Sequence, residues 1–184
     1  GSAEPLAIDH PIVLTQSGLL WLHFNLADAR ALQWLASPEL DVPAAARALL
    51  VSSDNYQQMH AHDDAVYGVV SDLKRDMADA TEETGYLHFV MTESILVSGR
   101  HHALCAVDAT RRALEAGHRI GSAAALFETI IENVADTMDR VAERIAQSLD
   151  EIEEQVLSDD ASDLRRKLGR LRRTCVRLHR QLSG

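Results

Sequence analysis

The stretch that decides the fold is residues 122–157, SAAALFETIIENVADTMDRVAERIAQSLDEIEEQVL. It has no proline and no glycine. Its apolar residues recur at close to the helical period, at Phe127, Ile130, Val134, Met138, Val141, Ile145, Leu149, Ile152 and Val156. This pattern predicts one amphipathic helix, roughly 54 Å long at about 1.5 Å per residue. Such a helix is longer than a small α/β domain is wide.

A second helix is predicted after a polar break. Residues 158–163, SDDASD, supply helix caps and interrupt the apolar period. The final segment then has the spacing of a heptad seam, at Leu164, Leu168, Leu171, Cys175, Leu178 and Leu182. We predict a helix over about 162–183. Because the seam is still in phase near the last residue, we expect the chain to stop inside a helix, as a truncated protein would.

Charge distinguishes the last helix from the rest of the chain. From Leu164 onward there are eight basic side chains and no acidic one, whereas residues 1–163 carry 28 acidic and 10 basic side chains. The acidic long helix and the basic final helix are predicted to pack as an antiparallel hairpin with complementary faces. The acidic body argues against nucleic acid as a partner, because phosphate contacts need positive charge. It suits a protein that works near cations, or it serves only to keep the domain soluble.

The first part of the chain, residues 1–118, is predicted to be an α/β head. Alternating apolar residues predict a strand over 19–26, with one side formed by Leu20, Leu22, Phe24 and Leu26. A helix over 27–36 with Asp28 as its cap follows. Pro43 is placed to open a second short helix that runs to Val51.

Three more strands and a helix complete the predicted head. The strands are expected over 65–70, 87–91 and 94–98, the last two joined by a tight turn at Thr92-Glu93, and the helix over about 106–116. The predicted fold class is therefore α+β. A mixed β-sheet flanked by helices (an α/β/α head) precedes a long acidic helix and the start of a basic helix, with domains at 1–118 and 119–184.

Several function classes find no support in the sequence. There is no glycine-rich phosphate loop, His-Glu-x-x-His, nucleophile elbow or Cys-x-x-Cys pair, so we expect neither an enzyme nor a bound organic cofactor. Cys105 and Cys175 are far apart and lack metal-ligand spacing, which favours a reducing compartment. No segment has the about 20 mostly apolar residues that a spanning helix needs.

The sharpest candidate for a metal site is His60-Ala61-His62-Asp63-Asp64. On a strand, His60, His62 and Asp64 would point to the same side, and imidazole with carboxylate suits zinc. Three in-line residues cannot surround an ion, so a further ligand from elsewhere or from a neighbouring subunit is required. The alternative interpretation is a polar strand end with an Asp-Asp turn. His101-His102 is not proposed as a site, since Arg100 beside it disfavours a cation.

A second candidate is a row of carboxylates on the long helix, which we call the acidic stripe: Glu128, Glu132, Asp136, Asp139 and Glu143. Like charges spaced three and four residues apart on a helix repel one another, so neutralisation by cations would be favourable. The predicted ligands are weakly held divalent cations shared along the stripe. The ordinary alternative is a solvated helix face that pairs with the basic helix.

Together these features resemble the CorA/ZntB metal-ion transporters, and the ZntB branch more than the CorA branch. The residues that carry the resemblance are Trp21–Leu26 with Trp34-Leu35, His62–Val70, Thr92–Arg100, and the long acidic helix followed by Leu168–Arg173. The resemblance spans nearly the whole chain, but the segment Ser53–Gln57 departs from the basic, proline-containing segment of relatives. The family's Gly-Met-Asn signature would lie beyond Gly184.

The resemblance implies the cytoplasmic regulatory or vestibule domain of a bacterial inner-membrane transporter for zinc or for magnesium, cobalt or nickel. It also implies a homopentamer whose stalk helices continue into membrane helices that this sequence lacks. A basic cluster before a membrane entry agrees with the positive-inside rule. Two alternatives stay open: a soluble oligomeric adaptor that binds a partner through its helical hairpin, and a metal-dependent hydrolase whose ligands the sequence does not show.

Overall fold

The structure is a computed structural model that describes residues 18–76, 79–157 and 164–182. By contacts along the chain it divides into two compact units, the first ending at Val134 and the second beginning at Ala135. The elements are β1 (Leu20–Asn25), α1 (Ala29–Ala36), α2 (Ala44–Leu50), β2 (Gln58–His62), β3 (Ala65–Asp76), β4 (Asp79–Met91), β5 (Ile95–Arg100), α3 (Cys105–Glu115), α4 (Ala123–Leu157) and α5 (Leu164–Leu182). The predicted break at 158–163 lies outside the described residues.

The first unit is built on a five-stranded mixed sheet in the order β1-β5-β4-β3-β2. β1 runs parallel to β5, and the other neighbours are antiparallel. The mixed sheet predicted from the sequence is confirmed, but β3 and β4 extend well past the predicted 65–70 and 87–91. The extension includes buried Ser71 and Asp72. Buried polar residues that hydrogen-bond to partners elsewhere in the fold interrupt the apolar pattern, so the hydrophobic period alone does not predict the full strand.

Both faces of the sheet are covered by helices, which confirms the predicted α/β/α head. On one face, Leu87 and Phe89 pack with α3 and with Leu126, Phe127 and Ile130 of α4. The rings of Phe89 and Phe127 stack with centroids 4.3 Å apart. The opposite face packs against α1 and α2. The first turns of α4 therefore belong with the sheet, and the boundary between the two units falls inside this helix rather than before it.

Local signals place the short elements where the sequence predicts them. The Asp28 carboxylate accepts the amide of Arg30 at 2.9 Å and caps α1. Pro43 immediately precedes α2. The turn between β4 and β5 closes through Thr92 N donating to Ile95 O at 2.9 Å. At Gly68 a Cβ would lie 2.2 Å from the carbonyl oxygen of Gln58, so the close approach of β2 and β3 requires glycine there.

The second unit contains the rest of α4 together with α5. Both predicted helices are confirmed. Lys167 Nζ donates to Gln155 Oε1 at 3.1 Å, which joins the two helices. Thr137, Val141 and Ile152 of α4 and Thr174 of α5 are buried.

The predicted heptad seam of α5 is wrong at two positions. Leu168 is 43% exposed and Cys175 is also exposed, whereas Thr174 is 4% exposed. Among the described residues of α5, those with side chains that are at least partly covered are Leu164, Lys167, Leu171, Thr174 and Leu178. This face shares every seventh residue with the predicted seam. Because a lysine stem and a threonine methyl can also cover apolar surface, hydropathy alone selected the wrong neighbours.

Candidate functional site

The predicted histidine site lies on the β2–β3 hairpin at the edge of the sheet. His60 and His62 both belong to β2 and are exposed. The strand ends at His62, and Asp63 turns the chain with a φ of 51°. Asp64 lies in that turn, so the expectation that it shares a strand side with the two histidines is wrong. The cause is the left-handed conformation, which aspartate tolerates better than most residues.

The two histidines are engaged with neighbours on the hairpin. The His60 ring stacks on Tyr67 with centroids 5.3 Å apart, and its Nε2 lies 3.0 Å from Gln58 Oε1. His62 Nδ1 lies 2.9 Å from Asp63 Oδ2. Within the described ranges, no group of three or more His, Cys, Asp or Glu side chains is placed to hold a metal ion. A histidine metal site therefore stays a prediction that needs a ligand from another molecule.

The acidic stripe follows one helix, α4, and all five of its residues are exposed. Arg140, which directly follows Asp139, donates from Nε to the backbone oxygen of Asp136 and from Nη2 to Thr137 Oγ1. These contacts bring the guanidinium to a carbonyl and a hydroxyl. The stripe thus offers carboxylates to water, which is the condition for loose cation attraction. Cation binding there stays a prediction.

A buried carboxylate that the sequence argument missed lies on β3. Asp72 is 1% exposed and accepts the backbone amides of Ala106 and Leu73, each at 2.7 Å. Burial raises the pKa of Asp72 to about 6, against the opposing effect of bonds from the amides of Ala106, Leu73 and Cys105. Asp72 therefore caps α3 from a neighbouring strand. The feature of the sequence that could have indicated a buried carboxylate is an aspartate within an otherwise β-rich segment.

A second polar network joins β1 to β5 on the same face. Arg100 Nε donates to His23 Nε2 at 3.0 Å, which leaves the ring proton on Nδ1, 2.9 Å from Ser98 Oγ. Trp21 Nε1 also donates to Ser98 Oγ, at 3.0 Å. Burial, and then the charge of Arg100, lowers the pKa of His23 to about 4. His23 is thus a neutral acceptor at physiological pH and positions Arg100.

Next to that network lies a group that we call the arginine cluster: Arg75, Arg100, Arg111 and Arg112. Three of them surround one carboxylate, Asp108 of α3. Arg75 Nη1 lies 2.6 Å from Asp108 Oδ2, Arg112 Nη2 lies 2.8 Å from the same oxygen, and Arg111 Nη2 lies 3.0 Å from Oδ1. Burial, and then the charge of Arg75, lowers the pKa of Arg100. The cluster could not be predicted from the sequence, because its members come from three separate elements, β3, β5 and α3, that only the folded chain brings together.

One buried histidine links the sheet to its other layer of helices. His88 of β4 is 0% exposed, and its Nδ1 lies 2.9 Å from the carbonyl oxygen of Leu49 in α2. Burial is the main cause of a lowered pKa for His88. Among the residues described here, nothing bonds to its Nε2. His88 therefore links β4 to α2 through a hydrogen bond of its neutral imidazole ring.

The fold and its charges define the class of protein: an α/β/α domain continued by a long acidic helix and a basic helix. The sequence model of the family described as "CorA-like Mg2+ transporter protein" matches residues 16–184. The chain belongs to this family. No curated protein gives a significant match to the sequence.

Solved structures agree with this fold. The full-length CmaX protein is 24% identical with a TM-score of 0.87, and the match covers 97% of this chain and 55% of that one. The ZntB cytoplasmic domain from Vibrio parahaemolyticus RIMD 2210633 is 22% identical with a TM-score of 0.63, covering 72% and 54%. The soluble domain of CorA from Methanocaldococcus jannaschii is 16% identical with a TM-score of 0.71, covering 88% and 65%. The chain thus spans from about half to two thirds of the length of these relatives.

No helix within the described ranges combines the length and the apolar character that a membrane crossing needs.

Proposed function

We propose that this chain is the cytoplasmic regulatory or vestibule domain of a membrane transporter for divalent metal cations. The observation that carries the proposal is the family match over residues 16–184. The cargo is a divalent ion, zinc or the group of magnesium, cobalt and nickel, and no metal ligand set in the described residues favours one of them. A place in the ZntB-like branch, on the cytoplasmic face of a bacterial inner membrane, is part of the same proposal.

Electrostatics supports the proposal on both α4 and α5. Exposed carboxylates on α4 attract cations and raise their local concentration without holding them tightly. α5 carries basic residues throughout, which is the charge expected beside the cytoplasmic surface of a membrane. The acidic stripe is thus proposed as a collecting surface, and release from it is fast because no carboxylate there is buried.

Self-association is the second part of the proposal, with a homopentamer as the assembly. Among the described side chains of the second unit, four large apolar ones are substantially exposed: Leu149, Val156, Leu168 and Val176. Exposed apolar residues on a helical pair are typical of surfaces that pack against further helices. The same observation favours the alternative function, a soluble oligomeric adaptor that binds a partner through its hairpin. The two functions differ in whether ions cross a membrane.

The decisive experiment is a flux assay on the complete product of the gene that encodes this chain, reconstituted in liposomes. An internal fluorescent indicator reports entry of Mg2+, Co2+, Ni2+ or Zn2+ against a K+ background. We expect flux of at least one divalent ion that saturates with concentration. Neutralising the stripe with D136N/D139N/E143Q is expected to lower flux at limiting ion concentration more than at saturation, since a collecting surface acts on local concentration.

A well-folded product that inserts into liposomes and conducts no divalent ion would reject transport. A product that never enters a membrane, and instead captures a soluble partner through α4 and α5, would support the adaptor.

A further inference from the structure

The first unit is acidic, yet half of its basic residues gather at one place. Residues 1–134 carry 18 acidic and eight basic side chains, and four of those eight form the arginine cluster. Clustering of like charges is costly unless something of opposite charge compensates it. Among the described side chains, Asp108 and Glu115 pair with the cluster and supply two negative charges against four positive ones. A net positive charge is left on this group.

The backbone brings the cluster together independently of side-chain placement. Arg75 near the end of β3 donates its amide to Ala103 O at 2.8 Å, and Lys74 forms an antiparallel bridge with Leu104. The segment after Arg100 thus lies against the end of β3 and leads directly into α3. One turn into α3 comes Asp108, and the next turn presents Arg111 and Arg112.

Some guanidinium N–H donors of the cluster are not used by its ion pairs. Asp108 is already shared by three guanidinium groups, and Arg111 also pairs with Glu115. In the described part of the chain, the buried Nε of Arg75 bonds to nothing. Among the described residues, Arg100 makes one hydrogen bond, from Nε to His23 Nε2, so its two terminal nitrogens are left for another acceptor. Of the three arginines that pair with Asp108, Arg75 joins α3 to the sheet, whereas Arg111 and Arg112 lie on α3 itself, so docking of the helix does not explain all four arginines.

Guanidinium groups arranged in this way suit an oxyanion. Each presents planar N–H donors that match phosphate oxygens, and charge-assisted bonds of this kind are about twice as strong as neutral ones. His23 accepts a hydrogen bond from Nε of Arg100, which leaves the two terminal nitrogens of that guanidinium as donors for a ligand. The cations proposed for the acidic stripe would be repelled here. The arginine cluster thus suits an anion, whereas the proposed transport function concerns divalent cations.

We propose that Arg75, Arg100, Arg111 and Arg112 form a binding site for a phosphate group, free or as a phosphate ester. The carboxylate of Asp108 lies between the guanidinium groups and offsets the electrostatic repulsion between them. The site goes beyond the proposed transport function, and its test uses no divalent ion.

The test is calorimetric titration of the chain with inorganic phosphate and with glycerol 3-phosphate, in chelator-treated buffer at fixed ionic strength set by chloride. We expect saturable binding by the wild type. R100Q is expected to weaken it about tenfold, the effect of one lost charge-assisted hydrogen bond. R111Q/R112Q, which changes two exposed side chains, is expected to weaken it at least as much and guards against a folding defect in R100Q.

The matched control is R30Q, which removes an exposed arginine that pairs bidentately with a single carboxylate, Asp28. Its affinity for phosphate is expected to equal that of the wild type. Binding of the ester alone would identify the ligand as a phosphate ester, and binding of both would identify the phosphate group itself. Absence of saturable heat with either ligand, or equal loss in R30Q and the cluster variants, would overturn the proposal.

Discussion

The two units of this chain use charge in different ways. In the first unit the decisive polar groups, Asp72, His23 and Asp108, are buried or nearly so and are bonded to partners far away in sequence. In the second unit charges recur along exposed helix faces, as at Asp136, Asp139 and Glu143 of the acidic stripe. A buried charge depends on its partners, while an exposed row acts mainly through its summed field. We therefore expect single substitutions to matter in the first unit and multiple substitutions in the second.

The largest contrast is expected between Asp72→Ala and Asp136→Ala. Removing the Asp72 carboxylate leaves two buried amides without an acceptor, which should lower the free energy of unfolding by about 3 kcal/mol. The exposed Asp136 should change it by less than about 0.5 kcal/mol. Urea unfolding followed by circular dichroism and by fluorescence measures both, and Trp21 and Trp34 report on the first unit because both lie in it. Equal losses would contradict the contrast.

The same helix supplies the next comparison. Phe127→Ala opens a cavity against Phe89 and should cost about 3 kcal/mol, because a buried ring is lost. Leu149→Ala, at a position 41% exposed, should cost less than about 1 kcal/mol. Thermal unfolding of the two variants compares them directly. A larger loss from Leu149→Ala would mean that the second unit is covered by another molecule in solution.

Acid should destabilise the first unit through His23. The pKa of His23 is about 4 in the folded chain, below its ordinary 6.5, so the folded state resists protonation. Its contribution to stability is complete above pH 6.5 and is lost as the pH falls toward 4. We expect the difference in unfolding free energy between the wild type and H23Q to shrink over that range by at most about 3 kcal/mol. A difference independent of pH would show that His23 is not buried beside Arg100.

The smallest effect concerns α5. Leu171→Ala removes a covered side chain and Leu168→Ala an exposed one, so we expect losses of about 2 and about 0.5 kcal/mol respectively. Sedimentation of both variants adds a second measurement. If Leu168 packs between copies of the chain, its variant lowers the association state while Leu171→Ala lowers stability alone. A larger loss of stability from Leu168→Ala than from Leu171→Ala would contradict the observed face of α5 and support the predicted seam.

Much of the fold was readable from the sequence because it rests on local signals. Asp28 before α1, Pro43 before α2 and the apolar period of α4 each act within a few residues. The full lengths of β3 and β4 were not readable, since one of the two amides bonded to the buried Asp72 carboxylate belongs to Ala106, which is far away in sequence. In the candidate site, the histidines of β2 were found, but the turn at Asp63 separates Asp64 from them. The arginine cluster required the tertiary structure.

The seam of α5 marks an intermediate case. Periodicity located the helix, and Leu164, Leu171 and Leu178 fit both possible faces. Choosing between Leu168 and Lys167 depends on what α4 presents, including the acceptor Gln155. Hydropathy does not contain that information.

The measurement that tests most directly whether the exposed carboxylates collect cations is a Mn2+ titration of the isotope-labelled chain, with paramagnetic broadening of backbone amides as the readout. D136N/D139N/E143Q removes three carboxylates from one helix face. E151Q/E153Q/E154Q removes the same charge from exposed positions of α4 that lie outside the acidic stripe. H60A/H62A tests the hairpin. We predict broadening along α4 that the first variant weakens about threefold or more and that the second and third leave nearly unchanged. Broadening centred on His60 and His62, or equal loss in the two carboxylate variants, would contradict the account.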